Sequence, residues 1–217
     1  MPTGVALRDA REQLFEAAER VLLRDGPGAL TSRAVTTEAA VAKGVLHRHF
    51  ADFDAFLAEF VLDRIGRMDS QAAALRDAAG TGTVIGNLTD ALTALYGSAA
   101  VAMVPLVSSR ESLRARLRET WPAGVPVLTE AMEMLASYLA AERELGRLQP
   151  DAEVEMLAPI LIGTVHLLWA GQDGAAPSAD EVRRVVTTAI SGGVRRPLSA
   201  EAAPAGHRCN PHAGRQS

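Results

Sequence analysis

The stretch Gly28–Phe50, GALTSRAVTTEAAVAKGVLHRHF, predicts two short helices joined by a sharp turn. Thr31 is a favourable N-cap residue, because its hydroxyl can accept a hydrogen bond from an unpaired amide of the first helical turn. We expect a first helix over Ser32–Ala39, a turn at residues 40–42 and a second helix over Lys43–Phe50. Two short helices joined in this way are typical of a helix-turn-helix.

The second of these helices has two chemically different faces. Leu46 and Phe50 are one turn apart, so both are predicted to point inward. The opposite face carries Gly44, Val45, His47 and Arg48, with Lys43 on its edge. A short helix with a cationic, hydrogen-bonding outer face suits the major groove of double-stranded DNA.

Each outward residue has a predicted role on DNA. Cations and hydroxyls near a helix start can hold phosphates, Val45 can touch a thymine methyl, and Gly44 permits a close approach to the groove. The predicted DNA-contacting residues are therefore Thr31, Arg33, Lys43, Gly44, Val45, His47 and Arg48. The alternative for Lys43 is an ordinary solvated lysine. His49 lies nearer the inner face and is expected to be structural.

The N-terminal segment also resembles a known family. The matching elements are Arg11, LFEAAERVLLRDG (14–26), LTSRAVTTEA (30–39), VAKGVLHRHF (41–50) and an apolar helix from near Asp52. Residues 11–57 resemble the DNA-binding domain of the tetracycline-repressor (TetR) family of bacterial regulators. The resemblance implies a homodimer that binds a DNA operator and releases it when a small molecule enters the C-terminal domain.

Three residues depart from the pattern of that family. Ala40 stands where the turn usually has glycine, and His47 stands where a phosphate-contacting tyrosine is usual. Phe53 stands where a lysine often holds the DNA backbone. These departures leave an alternative open, in which the chain is a helical small-molecule-binding or scaffold protein with a degenerate DNA-reading head.

Composition narrows the remaining function classes. The 217 residues carry a formal charge of −4, with seven Lys/Arg against six Asp/Glu in residues 1–50. The single cysteine, Cys209, excludes an intrachain disulfide and suits a reducing cytoplasm. The sequence contains no evident nucleophile motif, phosphate loop or metal-ligand set, so we expect no enzyme activity, cofactor or metal. It shows no secretory-signal pattern and no apolar run of membrane-spanning length.

The layout of the whole chain predicts an all-α fold, with an N-terminal three-helix helix-turn-helix domain and a C-terminal helical bundle for ligand binding and dimerisation. The predicted domains are residues 1–52, 53–195 and a disordered tail at 196–217. Helices are expected at about 8–24, from Asp52, at 84–103 (ended by Pro105), 108–120, 127–148, from a cap at Asp151 to Trp169, and at 180–194.

The body is expected to sense a small apolar or amphipathic effector. Methionines and aromatic residues on apolar helices are usually plain core, but they can also line an apolar pocket. The predicted effector-binding residues are Met103, Trp121, Met132, Leu135, Tyr138 and His166. The helix over 157–169 is apolar nearly all round, which indicates burial against a second copy in a four-helix interface or, alternatively, a central core position.

Overall fold

The computed structural model describes residues 4–120, 122, 125–172 and 175–191, with side chains from residue 10 onward. All helices of this described part are α-helices apart from a 3-10 turn at Pro27–Ala29, and no β-strand occurs in it. The helices are α1 Gly4–Asp25, α2 Ser32–Glu38, α3 Gly44–His49, α4 Phe53–Asp77, α5 Val84–Tyr96, α6 Ala99–Ser109, α7 Glu111–Leu117, α8 Pro126–Glu144, α9 Val154–Gly171 and α10 Ala179–Ile190. The prediction of an all-α fold is confirmed.

A cluster of phenylalanines closes the small N-terminal head, formed by α1–α3. Phe15, Phe50, Phe56 and Phe60 are almost fully buried, and their ring centroids lie 5.0–6.3 Å apart. Large aromatic side chains supply the buried area that a head of this size needs. Phe56 and Phe60 belong to α4, so the first turns of α4 complete the core of the head.

The turn between α2 and α3 contains a residue in an unfavourable backbone conformation. Ala40 has φ +53°, and it is the single non-glycine residue of the described chain with positive φ. Its N–H donates to Thr37 O at 3.1 Å, and the N–H of Val41 donates to Thr36 O at 3.0 Å. This pair of bonds is a Schellman motif, whose left-handed position normally holds glycine. The departure at Ala40 therefore stores strain in the helix-turn-helix.

We predict that Ala40→Gly stabilises the protein by about 1 kcal/mol, because the left-handed conformation costs an L-residue more than glycine loses in backbone entropy. The measurement is chemical denaturation followed by circular dichroism. Ala42→Gly is the matched control, since Ala42 is exposed in the same turn without a positive φ, and it should destabilise. A neutral or destabilising Ala40→Gly would contradict the assigned strain.

The long helix α4 joins the head to the body. Its Asp52 N-cap accepts a hydrogen bond from Ala55 N at 2.7 Å, as the sequence predicts. Helix α4 also packs against α6, α7 and α8 of the body. Arg64 of α4 is only 4% exposed and pairs with Glu19 of α1 at 2.8 Å. A rotation of α4 therefore moves the head with it.

Several predicted boundaries in the body are wrong. The single helix predicted at 84–103 is two helices, α5 and α6, bent by 55° at Gly97–Ser98, where Ser98 accepts a bond from Ala100 N. Pro105 lies inside α6 and does not end it. Asp151 is exposed and does not cap α9, which begins at Val154. The last helix is capped by Ser178 through a capping box with Glu181, and ends at Ile190.

Helix α9 is more apolar than the sequence pattern predicts. It spans 18 residues with a mean hydropathy of 1.5, so by length and composition alone it could cross a membrane. This corrects the prediction that no apolar run reaches that length. In the fold it packs against α5, α8 and α10, and core helices of water-soluble proteins meet the same length and composition test.

Candidate functional site

The first helix of the motif is held against α1 by charge. The side chain of Thr31 caps α2 by accepting a bond from Ala34 N at 3.1 Å, which confirms the predicted cap. Glu38, near the other end of α2, accepts bonds from Arg20 at 2.8 Å and Arg24 at 2.9 Å. The hydrogen bond from Arg20, followed by that from Arg24, lowers the pKa of the Glu38 carboxyl. The exposed Arg33 lies between the cap and this brace.

Helix α3 presents the face that the sequence predicts. Leu46 is fully buried and Phe50 is 3% exposed, so both point inward. Lys43, Gly44, His47 and Arg48 are exposed on the opposite side, and Val45 is half-buried against the core. Six of the seven predicted DNA-contacting residues are exposed: Thr31, Arg33, Lys43, Gly44, His47 and Arg48. Val45 offers only part of its surface to a partner.

Among the described residues, the cations of this face have no carboxylate within ion-pair distance, although Glu38 lines the same cleft as Arg33. Within the described residues, Arg33, Lys43 and Arg48 form no ion pair, whereas most arginines of α1 and α4 do. An exposed cation without a carboxylate partner keeps its full charge available for a phosphate. The local field of the motif is therefore positive, although the chain as a whole is acidic.

Two further residues bear on this surface and are not among the predicted contacts: Arg11 supports α3 from its inner side, and Thr37 is exposed near Arg33. Arg11 of α1 pairs with Glu59 of α4, and its guanidinium lies 4.6 Å from the ring of Phe50, so it fixes the end of α3. Thr37 is exposed and lines an open cleft of about 350 Å³ together with Thr31 and Arg33. Its position one turn after Arg33 is the signal that could have identified it.

The predicted effector residues do not form one cluster. Met103 lies on α6, and Met132, Leu135 and Tyr138 lie on α8, which packs against α6. Met103, Leu135 and Tyr138 are fully buried, and Met132 is half-buried. Trp121 lies outside the described residues. His166 lies on α9. Its ring centroid is 6.3 Å from that of Tyr96, and it stacks on Trp169 with a centroid distance of 5.3 Å.

Tyr138 belongs to a polar network at the far end of α8. Its hydroxyl accepts a bond from Asn87 Nδ2 at 3.0 Å. Burial, followed by a hydrogen bond with Glu142, raises the pKa of Tyr138. Glu142 is fully buried, accepts from Gly80 N at 3.3 Å and lies 3.3 Å from Arg147 Nε. This network fastens the loop after α4 to α8, which gives Tyr138 a structural role.

His166 is half-buried, and its buried Nδ1 atom has no hydrogen-bond partner among the described residues. Burial lowers the pKa of its imidazole below the usual 6.5, because the low-dielectric surroundings disfavour the cation. The unfolded chain therefore binds a proton at His166 more readily than the folded chain does. The stability associated with a neutral His166 is complete above pH 6.5 and decreases as the pH falls below it.

We predict that His166→Gln flattens the pH dependence of the melting temperature between pH 7 and pH 5, because the group that must be charged on unfolding is removed. Thermal melts of wild type and variant across that interval measure it. The exposed His47→Gln variant is the control and should retain the wild-type slope. A His166→Gln profile parallel to the wild type would show that His166 does not control stability there.

The comparisons with known proteins agree with this geometry. Residues 14–60 match the family model described as bacterial regulatory proteins of the tetR family. The N-terminal domain is a TetR-family domain. No curated protein sequence matches the chain.

Solved structures extend the likeness to the body, and at this sequence identity they show the fold alone. A TetR-family regulator from Agrobacterium tumefaciens has a TM-score of 0.67 at 14% identity, covering 87% of this chain and 100% of that one. Reduced NemR from E. coli has a TM-score of 0.64 at 17% identity, covering 88% and 100%. FadR from Bacillus subtilis in complex with stearoyl-CoA has a TM-score of 0.60 at 17% identity, covering 83% and 98%. The described part of the chain therefore shares the fold of these regulators, and the family match itself is confined to residues 14–60.

Proposed function

We propose that the chain is a cytoplasmic, dimeric transcriptional repressor that binds a DNA operator and is released by a small apolar or amphipathic effector. The observation that carries this proposal is the outer face of α3 and its N-cap Lys43. There Lys43 and Arg48 are exposed and form no ion pair with any described residue, while Leu46 is buried beneath them. A rigid cationic helix with free donors suits the major groove. The TetR-family match of residues 14–60 supports the same function.

In this proposal the two motif helices divide the contacts. Thr31 and Arg33 at the start of α2 hold phosphates, which fix the register and supply most of the salt-dependent affinity. Lys43, His47 and Arg48 approach phosphates and base edges, and Gly44 allows α3 to lie close to the groove. The half-buried Val45 contributes an apolar contact. Two heads bind one face of B-DNA when they are separated by about 34 Å.

We predict that Lys43→Ala and Arg48→Ala each weaken operator binding by about tenfold and reduce its salt dependence, because each removes a cation facing DNA. The preferred duplex is first selected from a random library with the wild type, and affinity is then measured by fluorescence anisotropy at several salt concentrations. Arg76→Ala is the matched control, since Arg76 is an exposed arginine of α4 without an ion pair in the described part. Unchanged affinity in both α3 variants would overturn the proposed role of this face.

The dimer is supported by an apolar stripe on α9. Met156, Ile160 and Leu167 are 54%, 47% and 73% exposed and lie on the side of the helix opposite its buried residues. Exposed large apolar side chains aligned along one helix mark an association surface. A second copy related by two-fold symmetry would cover the stripe with the same helix, and α10 lies beside it.

We predict that Leu167→Glu converts the dimer to a monomer, because it replaces the most exposed side chain of the apolar stripe with a charge. Size-exclusion chromatography with light scattering measures the mass. Leu145→Glu is the control: Leu145 is 57% exposed but lies at the end of α8, and this variant should remain dimeric. A dimeric Leu167→Glu protein would place the interface elsewhere.

The response to an effector is supported by direct bonds from the body to the head. Arg110, between α6 and α7, donates to Leu30 O at 2.9 Å and lies 4.0 Å from Asp54. Arg116 of α7 pairs with Asp52, the cap of α4. Leu30 directly precedes the cap of α2. A shift of α7 would therefore reorient the motif, which is how a ligand that prefers one arrangement can weaken DNA binding.

The second candidate is a helical ligand-binding or scaffold protein with a degenerate head, and the half-buried Phe53 favours it. Phe53 stacks on Phe56 at 5.6 Å and contacts Arg110, so it offers no cation to DNA at the start of α4. The library selection separates the candidates. A repressor enriches a near-palindromic duplex, whereas the scaffold protein enriches none while remaining dimeric.

A further inference from the structure

We propose that a pocket between α6, α7 and α8 binds an anionic group, a carboxylate or phosphate carried on a small apolar moiety, and that Arg114 and Arg118 hold it. This inference rests on the effector response proposed above and names the chemical class of the effector. The pocket has a volume of about 150 Å³ and is lined by Val107, Ser108, Arg114, Leu117, Arg118, Val125 and Pro126.

Among the described residues, the charged side chains that line the pocket are all cationic. Arg114 of α7 and Arg118, the C-cap of α7, are one turn apart. Within the described residues neither arginine forms an ion pair, unlike Arg110 and Arg116 of the same segment. Two guanidinium groups without a counter-charge repel one another, and an anion between them would remove that cost.

The hydrogen bonding of Arg114 also indicates that an acceptor is missing from this site. Its Nε is buried and has no hydrogen-bond partner among the described residues. A buried donor without an acceptor is costly, and a carboxylate or phosphate oxygen would satisfy it with a charge-assisted bond. Ser108 adds a hydroxyl to the same lining, and no side chain caps the first turn of the 19-residue α8, so its amides add partial positive charge.

The remaining lining selects what the anion is attached to. Val107, Leu117, Val125 and Pro126 are apolar, and Val107 lies one turn after Met103 on α6. The pocket volume of about 150 Å³ is sufficient for a group of the size of benzene. The pocket therefore fits an aromatic or short aliphatic acid or phosphate ester, with the charged end at the arginines.

The position of α7 connects this pocket to DNA binding. Arg110 and Arg116 of this segment bond to the head and to the cap of α4. Arg114 and Arg118 of the same segment line the pocket. The helix itself is seven residues long. An anion that draws Arg114 and Arg118 together would shift this short helix and strain its bonds to the head.

The test uses the full-length protein with benzoate and phenyl phosphate as probes and benzyl alcohol as the neutral analogue of matched size. Isothermal titration calorimetry should show that at least one of the two anions binds about tenfold or more tightly than benzyl alcohol, since a charge-assisted bond is lost with the alcohol. The anion that binds better identifies the source as carboxylate or phosphate. Operator affinity of the same preparation should decrease when that anion is added.

Arg118→Gln is the decisive variant, because Arg118 is exposed at the end of α7 and its loss does not threaten folding. It should weaken binding of the anions by about tenfold, whereas Arg76→Gln should leave it unchanged. Equal binding of benzyl alcohol, absence of saturable anion binding, or an unaffected Arg118→Gln would overturn the site. Anion binding without a change in operator affinity would overturn the effector assignment. Because operator binding without ligand is measured separately, failure of the site leaves the proposed repressor function standing, and failure of operator binding does not affect the site.

Discussion

The structure depends on the packing of the first turns of α4 into the head. Phe56 and Phe60 are fully buried. The ring centroid of Phe56 lies 5.6 Å from that of Phe15 and 5.0 Å from that of Phe50, and the ring centroid of Phe60 lies 5.8 Å from that of Phe15. The head cannot close its core without these two residues, because its three helices are too small to bury enough apolar surface by themselves. The same helix then runs into the body. The orientation of the motif is thus set by a helix that both units share.

Charge is distributed in accordance with this arrangement. Where α1, α2 and α4 must stay together, arginines are paired: Arg64 with Glu19, Arg20 and Arg24 with Glu38. Among the described residues, Lys43 and Arg48 of the motif and Arg114 and Arg118 beside the pocket form no ion pair, and neither does Arg76 near the end of α4. Exposed pairs contribute little to stability, so their value here is in fixing geometry. The unpaired cations are the ones available to external anions.

The sequence predicts the motif well and the body less well. Leu46 and Phe50 are found inward as their spacing predicts, because the helical period alone decides it. The sequence predicts the helix break at Pro105, because proline is the stronger helix breaker. The structure has the break at Gly97–Ser98 instead, and Pro105 lies within α6. The signal for the observed break, a serine cap directly after glycine, was present. Arg110 bonds to Leu30 across 80 positions of sequence, and no local pattern reveals such a contact.

Ala40 in the turn of the motif and the short helix α7 both affect the orientation of the motif. Ala40 holds the two motif helices in a strained turn, so α2 and α3 keep their relative orientation only while the surrounding core enforces it. That core is completed by α4, whose cap Asp52 is bound by Arg116 of α7. A displacement of α7 is therefore transmitted first to the start of α4 and then to a turn that has little conformational preference of its own to resist it. Packed elements of this kind shift between discrete arrangements and do not deform gradually. A shift of α7 would therefore reorient the motif without any contact to its outer face.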